Sequence, residues 1–70
     1  MKLERLEKLR LERGISRKEV AEFLGVTTTT YAKNETGKTK TKISRIVKLA
    51  ELYNVPIDYI LNLTDQRERH

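Results

Sequence analysis

The sequence is 70 residues long, which limits it to one domain whose core has little room for a buried active site. It contains no cysteine, which excludes disulfides and thiolate-bound zinc, and no apolar run reaches the roughly 20 residues that cross a bilayer. The formal net charge is +5, and the N-terminus lacks the apolar region of a signal peptide, so we expect a cytoplasmic chain.

The positive charge is concentrated in one stretch of the sequence. Residues 33–48 contain six cations and one anion, whereas residues 1–32 have a net charge of +2 and residues 49–70 a net charge of −2. A localised basic patch attracts polyanions such as nucleic acid. A solvated, lysine-rich loop has the same composition, so charge alone leaves both interpretations open.

The first predicted helix is amphipathic. Leucines recur at every third position from Leu3 to Leu9, with charged residues between them, which predicts a helix over residues 2–13. Gly14 is suited to the left-handed conformation that commonly ends a helix.

A second helix and a tight turn follow. Ser16 and Glu19 have the spacing of a capping box, which predicts that the helix begins here, and Gly25 ends it. Ala21 is small enough to lie where two helices cross closely. The positions expected to point inward are apolar, namely Val20, Leu24, Val26 and Tyr31.

Three further helices complete the prediction. Thr27 is a good N-cap for a helix that runs to about Glu35, although its threonines are weak helix formers and depend on tertiary packing. A fourth amphipathic helix is marked by Ile43, Ile46, Val47, Leu49 and Ala50. Asn54 is expected to end that helix, and Pro56 fits the first turn of a short fifth helix. The polar tail beyond residue 63 is expected to fray.

The order of these features resembles the helix-turn-helix of the phage Cro and repressor (XRE) family. The resemblance covers residues 3–62. The segment ISRKEVAEFLGV at residues 15–26 is similar to the family's second helix and turn, and YAKNETGK at residues 31–38 to the end of its third helix. The segment VPIDYIL at residues 55–61 is similar to its fifth helix.

The resemblance implies an all-α fold, a compact five-helix bundle over residues 1–63 with a polar tail at residues 64–70. The family's third helix lies in the major groove of double-stranded DNA. A homodimer that binds a pseudo-palindromic operator as a transcriptional regulator, in particular a repressor, is therefore implied. The candidate DNA-contacting residues are Arg17, Thr27, Thr28, Thr29, Ala32, Lys33, Lys38, Lys40, Lys42 and Arg45. Each has a plainer alternative as a capping or solvated surface residue.

Three expectations concern the residues around this surface. The resemblance implies a structural ion pair between Arg10 and Glu35. Asn34 departs from the family pattern, which has a large apolar residue there, so its side chain needs hydrogen-bond partners. The short side chains of Thr28 and Thr29 predict modest sequence specificity, with a bias towards thymine.

Other functions have little support in the sequence. An enzyme is excluded because the one histidine is the last residue, His70, and there is no phosphate-binding glycine loop. We expect no cofactor, metal, small-molecule substrate or membrane association. The remaining alternative is a protein-interaction module, an antitoxin or adaptor of helix-turn-helix fold with weak or lost DNA binding. The basic cluster argues against that alternative, because a protein adaptor has no need of it.

Overall fold

The computed structural model describes residues 3–68, which form five α-helices and no strand, so the expected all-α fold is confirmed. The helices are α1 (Glu4–Glu12), α2 (Arg17–Leu24), α3 (Thr28–Thr36), α4 (Ile43–Tyr53) and α5 (Ile57–Ile60). None of these helices has the length and apolar character that a membrane crossing requires.

The cap at the start of α2 and the glycine turn at its end determine where α2 lies relative to α3. The hydroxyl of Ser16 accepts a hydrogen bond from the Glu19 amide at 3.1 Å, and the Glu19 carboxylate accepts one from the Ser16 amide at 3.2 Å. The predicted capping box is therefore present. Gly25 ends α2 with φ of 73°, a left-handed conformation that costs glycine little. The Val26 amide then donates to the Ala21 carbonyl at 3.0 Å, which closes the turn.

The connection between α4 and α5 agrees with the sequence in one detail and differs in another. Asn54 ends α4 in a left-handed conformation with φ of 54°, as expected. Pro56 is the N-cap of α5, with ψ of 152°, and does not lie within its first turn. Its extended backbone conformation keeps it just outside the helix.

The core contains residues from all five helices. Its buried apolar residues are Leu3, Leu6, Leu9, Val20, Ala21, Leu24, Tyr31, Ile46, Leu49, Ala50, Tyr53, Val55, Tyr59 and Ile60. All three tyrosines of the chain are therefore part of the core. Ile43 and Val47 are exposed instead, because the stripe of α4 that faces the core is centred on Leu49 and Ala50.

The C-terminal end of the described chain lies against α1. A guanidinium nitrogen of Arg67 donates to both carboxylate oxygens of Glu12 at 2.8 Å, and its Nε donates to the Tyr59 hydroxyl at 2.9 Å. Arg5 pairs with Asp65 at 2.6 Å. The tail therefore contains no helix within the described residues but contacts α1, more than 50 positions away in the sequence.

Candidate nucleic-acid interface

One side of α3 faces away from the core. Thr28, Thr29, Lys33 and Thr36 are exposed, and Ala32 lies among them half-buried. We call these five residues the α3 face. Thr36 was not singled out in the sequence, although it follows Lys33 by three positions, a spacing that puts both on one helical face.

The opposite side of α3 and its N-cap hold this threonine-rich segment in a helix. Tyr31, Asn34 and Glu35 are at most 1% exposed and have the spacing of a single helical stripe. At the N-terminus, the Thr27 hydroxyl accepts a hydrogen bond from the Thr30 amide at 3.1 Å and donates to the Thr30 hydroxyl at 2.8 Å. The predicted N-cap is present, and packing of the buried stripe offsets the low helix propensity.

A buried carboxylate joins α1, α2 and α3. Glu35 accepts hydrogen bonds from Nε and Nη2 of Arg10, both 3.1 Å long, so the pair implied by the resemblance has bidentate geometry. Burial is the largest single influence on Glu35 and raises its pKa, but the hydrogen bonds and charge of Arg10, together with Tyr31 and the charge of Arg17, outweigh burial and hold the pKa below the ordinary value. The same contact raises the pKa of Arg10. Both groups therefore stay charged near neutral pH.

Arg17 shares this carboxylate. Its Nε and Nη2 each lie 3.3 Å from Oε1 of Glu35, while its side chain remains 38% exposed. The sequence predicted Arg17 as a DNA contact. In the structure its guanidinium is bonded to α3 at the rim of the buried ion pair. No local pattern indicates this contact, because the two residues are 18 positions apart.

Asn34 forms a second buried connection on α3. Its Nδ2 donates to the Thr39 hydroxyl at 3.0 Å, and its Oδ1 accepts from Nη1 of Arg45 at 3.1 Å. The Thr39 amide also donates to the Lys33 carbonyl at 3.4 Å. The hydrogen-bond partners that this polar residue requires are therefore supplied by the loop after α3 and by α4.

The loop between α3 and α4 has a high density of positive charge. We call residues 37–42 the lysine loop. Its three lysines, Lys38, Lys40 and Lys42, are all exposed. Within residues 3–68, no carboxylate lies within 4.0 Å of these ammonium groups or of Lys33. Their charge is therefore not neutralised by a neighbouring side chain.

The predicted site residues thus fall into one connected region. Arg17 and Arg45 bond to consecutive residues of α3, Glu35 and Asn34, and the lysine loop begins where α3 ends. The region offers hydroxyls on the α3 face and cationic groups around it, a combination suited to base edges and phosphates. Among residues 3–68, no three acidic, histidine or cysteine side chains are grouped as a metal site requires.

Known proteins with similar sequences are named as transcriptional regulators. The SPbeta prophage-derived uncharacterized HTH-type transcriptional regulator YonR of Bacillus subtilis is 38% identical over 61 residues, covering 87% of this chain and 56% of the relative. The HTH-type transcriptional regulator YobD of the same organism is 37% identical over 93% of this chain and 58% of the relative. The cryptic phage CTXphi transcriptional repressor RstR of Vibrio cholerae is 40% identical over 76% of this chain and 48% of the relative.

The chain therefore spans about half the length of the curated relatives that it matches. A family model described as helix-turn-helix matches residues 6–60, which is most of the chain and includes α2, the turn at Gly25 and α3. The resemblance predicted from the residue pattern is confirmed, and the chain belongs to the helix-turn-helix family.

Proposed function

We propose that this chain binds double-stranded DNA in the major groove and acts in the cytoplasm as a transcriptional regulator, with repression as its outcome. In this proposal the α3 face contacts base edges. The phosphates on either side of these bases are contacted by Arg17, Arg45 and the lysine loop. Thr27 caps α3 and also contacts a phosphate. The names of the relatives, two regulators and one repressor, agree with this role.

The observation that carries the proposal is the contrast between the α3 face and its surroundings. The face itself carries one charge, on Lys33, while the adjoining lysine loop carries three ammonium groups with no carboxylate within 4.0 Å among residues 3–68. Phosphate contacts supply most of the affinity of DNA-binding proteins, and base contacts supply the specificity. A helix with short polar side chains beside a cluster of cations has this division of roles.

We further propose that two copies bind a pseudo-palindromic operator, with half-sites about one helical turn apart. A single small domain makes few phosphate contacts, so pairing of two copies raises the affinity. One candidate for the dimer interface is residues 57–63, in which Leu63 is 73% exposed. The alternative is a dimerisation region beyond this chain, in a protein as long as its relatives.

The test is fluorescence anisotropy of the chain with labelled random-sequence duplex DNA across a salt series. The logarithm of the binding constant should fall linearly with the logarithm of salt concentration, with a slope of several units. Absence of binding even at low salt would contradict the proposal. The protein-interaction module would then be the better interpretation of the same fold.

A further inference from the structure

Arg45 is held by a neutral partner. Its Nη1 donates to Oδ1 of Asn34, which is 1% exposed, and no carboxylate within residues 3–68 lies within 4.0 Å of its guanidinium. Arg17, in contrast, is held by the Glu35 carboxylate. The two arginines beside α3 are therefore fixed by different chemistry, one by an amide and one by an anion.

An amide fixes a guanidinium without cancelling its charge. Guanidinium has five N–H donors, and the contact with Asn34 uses one of them. The remaining donors and the full positive charge of Arg45 are available to an anion, and the side chain is half-exposed. Prior orientation of a side chain reduces the conformational entropy that is lost on binding.

The other end of the same amide fixes the lysine loop. Nδ2 of Asn34 donates to the Thr39 hydroxyl, and Thr39 lies between Lys38 and Lys40. One buried side chain therefore sets the position of Arg45 and of the loop relative to α3. A large apolar residue at this position makes neither hydrogen bond, so the arrangement depends on the polar residue.

We propose that Asn34 is a positioning residue for phosphate binding, which orients Arg45 and the lysine loop towards the DNA backbone while leaving their charge intact. The inference rests on the proposed DNA binding and adds to it a role for a buried residue that does not itself contact DNA. It also explains why a polar side chain is tolerated at a fully buried position, since both ends of its amide are bonded.

The decisive variant is Asn34→Asp, because aspartate has nearly the shape of asparagine but carries a negative charge. The Arg45 contact is retained as an ion pair, and the Thr39 hydroxyl can donate to the aspartate in place of accepting from the amide, while the charge of Arg45 is neutralised. In the anisotropy assay with random-sequence duplex DNA, we expect about tenfold weaker binding at low salt. The salt slope should become shallower by about 0.9, which corresponds to one phosphate contact.

A double-mutant cycle tests whether Asn34 acts through Arg45. Arg45→Gln should weaken binding about tenfold, and Asn34→Ala should weaken it less in the wild-type background. Asn34→Ala should have a smaller effect when Arg45 is already replaced, because only the contact with the lysine loop then remains to be lost. Without DNA, Asn34→Ala should also lower the heteronuclear NOE of the amides of residues 38–42, which reports faster motion of the lysine loop.

The outcomes separate this inference from the proposed function. If the wild-type chain does not bind DNA at low salt, the proposed function fails, and the inference fails with it. If the wild-type chain binds and Asn34→Asp binds equally well with the same salt slope, only the role of Asn34 is overturned. Equal effects of Asn34→Ala with and without Arg45 would also overturn it. Thermal unfolding identifies any variant that fails to fold, and the remaining variants then decide.

Discussion

Arg10 on α1 and Glu35 on α3 are joined by two parallel hydrogen bonds of 3.1 Å, although 25 residues separate them in the sequence. The Glu35 side chain has no exposed surface, and that of Arg10 is 11% exposed. Arg10 also donates to the Ile15 carbonyl at 3.1 Å, in the link between α1 and α2. The pair therefore ties the first three helices together at the base of the candidate interface.

Replacement of Arg10 by methionine should strongly destabilise the fold. Methionine fills the space but leaves the buried carboxylate with only the longer contacts from Arg17. Loss of one partner of a buried ion pair costs about 3–5 kcal/mol, and a chain of this length has a total stability of roughly 4–10 kcal/mol. Urea unfolding followed by circular dichroism measures the change.

The matched control for this variant is Glu51→Gln, which removes an exposed carboxylate from α4. Its stability should stay within about 0.5 kcal/mol of the wild type, as for most surface substitutions. If Arg10→Met unfolds at the same urea concentration as the control, the ion pair contributes nothing measurable to the fold.

The stability should also depend on pH through Glu35. Burial raises its pKa, but the interactions with Arg10, Tyr31 and Arg17 together outweigh burial and hold the pKa in the folded chain below the ordinary value of 4.5. A lowered pKa in the folded state means that the stabilising contribution is complete above pH 4.5. This contribution is lost as the pH falls through the pKa of the folded state.

The measurement is the free energy of unfolding of the wild type and of Glu35→Gln between pH 3 and pH 7. The wild type should be more stable by a constant amount from pH 5 to pH 7, and the difference should shrink below about pH 4.5. Arg10 keeps its charge throughout this range, so it does not change the sign. Parallel curves for the two proteins would contradict the assignment of this titration to Glu35.

Helix positions could be predicted from local signals, whereas contacts between distant residues could not, except for the Arg10–Glu35 pair that the family resemblance implied. Ser16 with Glu19, and Gly25, mark the ends of α2 within a few residues of sequence, so local chemistry is sufficient there. The attachment of Arg17 to Glu35 depends on the packing of α2 against α3, which periodicity does not specify. The need of Asn34 for partners was predictable from its polarity, but not the identity of those partners.

The contribution of the lysine loop to DNA binding can be measured with single substitutions. Lys40→Ala should weaken binding to all duplex sequences to a similar extent and reduce the salt slope by about 1, because it removes one phosphate contact. Lys8→Ala is the matched control, since Lys8 is also exposed but lies on α1. The same loss in both variants would indicate a general effect of net charge and not a contact made by the loop.

The α3 face should give the chain a preference for particular DNA bases. Thr28 and Thr29 are exposed near the start of α3, and each offers one hydroxyl and one methyl group. The methyl group favours contact with the thymine methyl, so sites selected from a random duplex pool should be enriched in thymine at the contacted positions.

Replacement of Thr28 by alanine should weaken this preference at one position and leave the salt slope unchanged, because threonine carries no charge. A change in the salt slope would mean instead that Thr28 contributes to phosphate contacts. Selection that returns no thymine bias with the wild-type chain would remove the threonines from base recognition. The lysine loop and the two arginines would then account for the whole affinity, and binding would be independent of sequence.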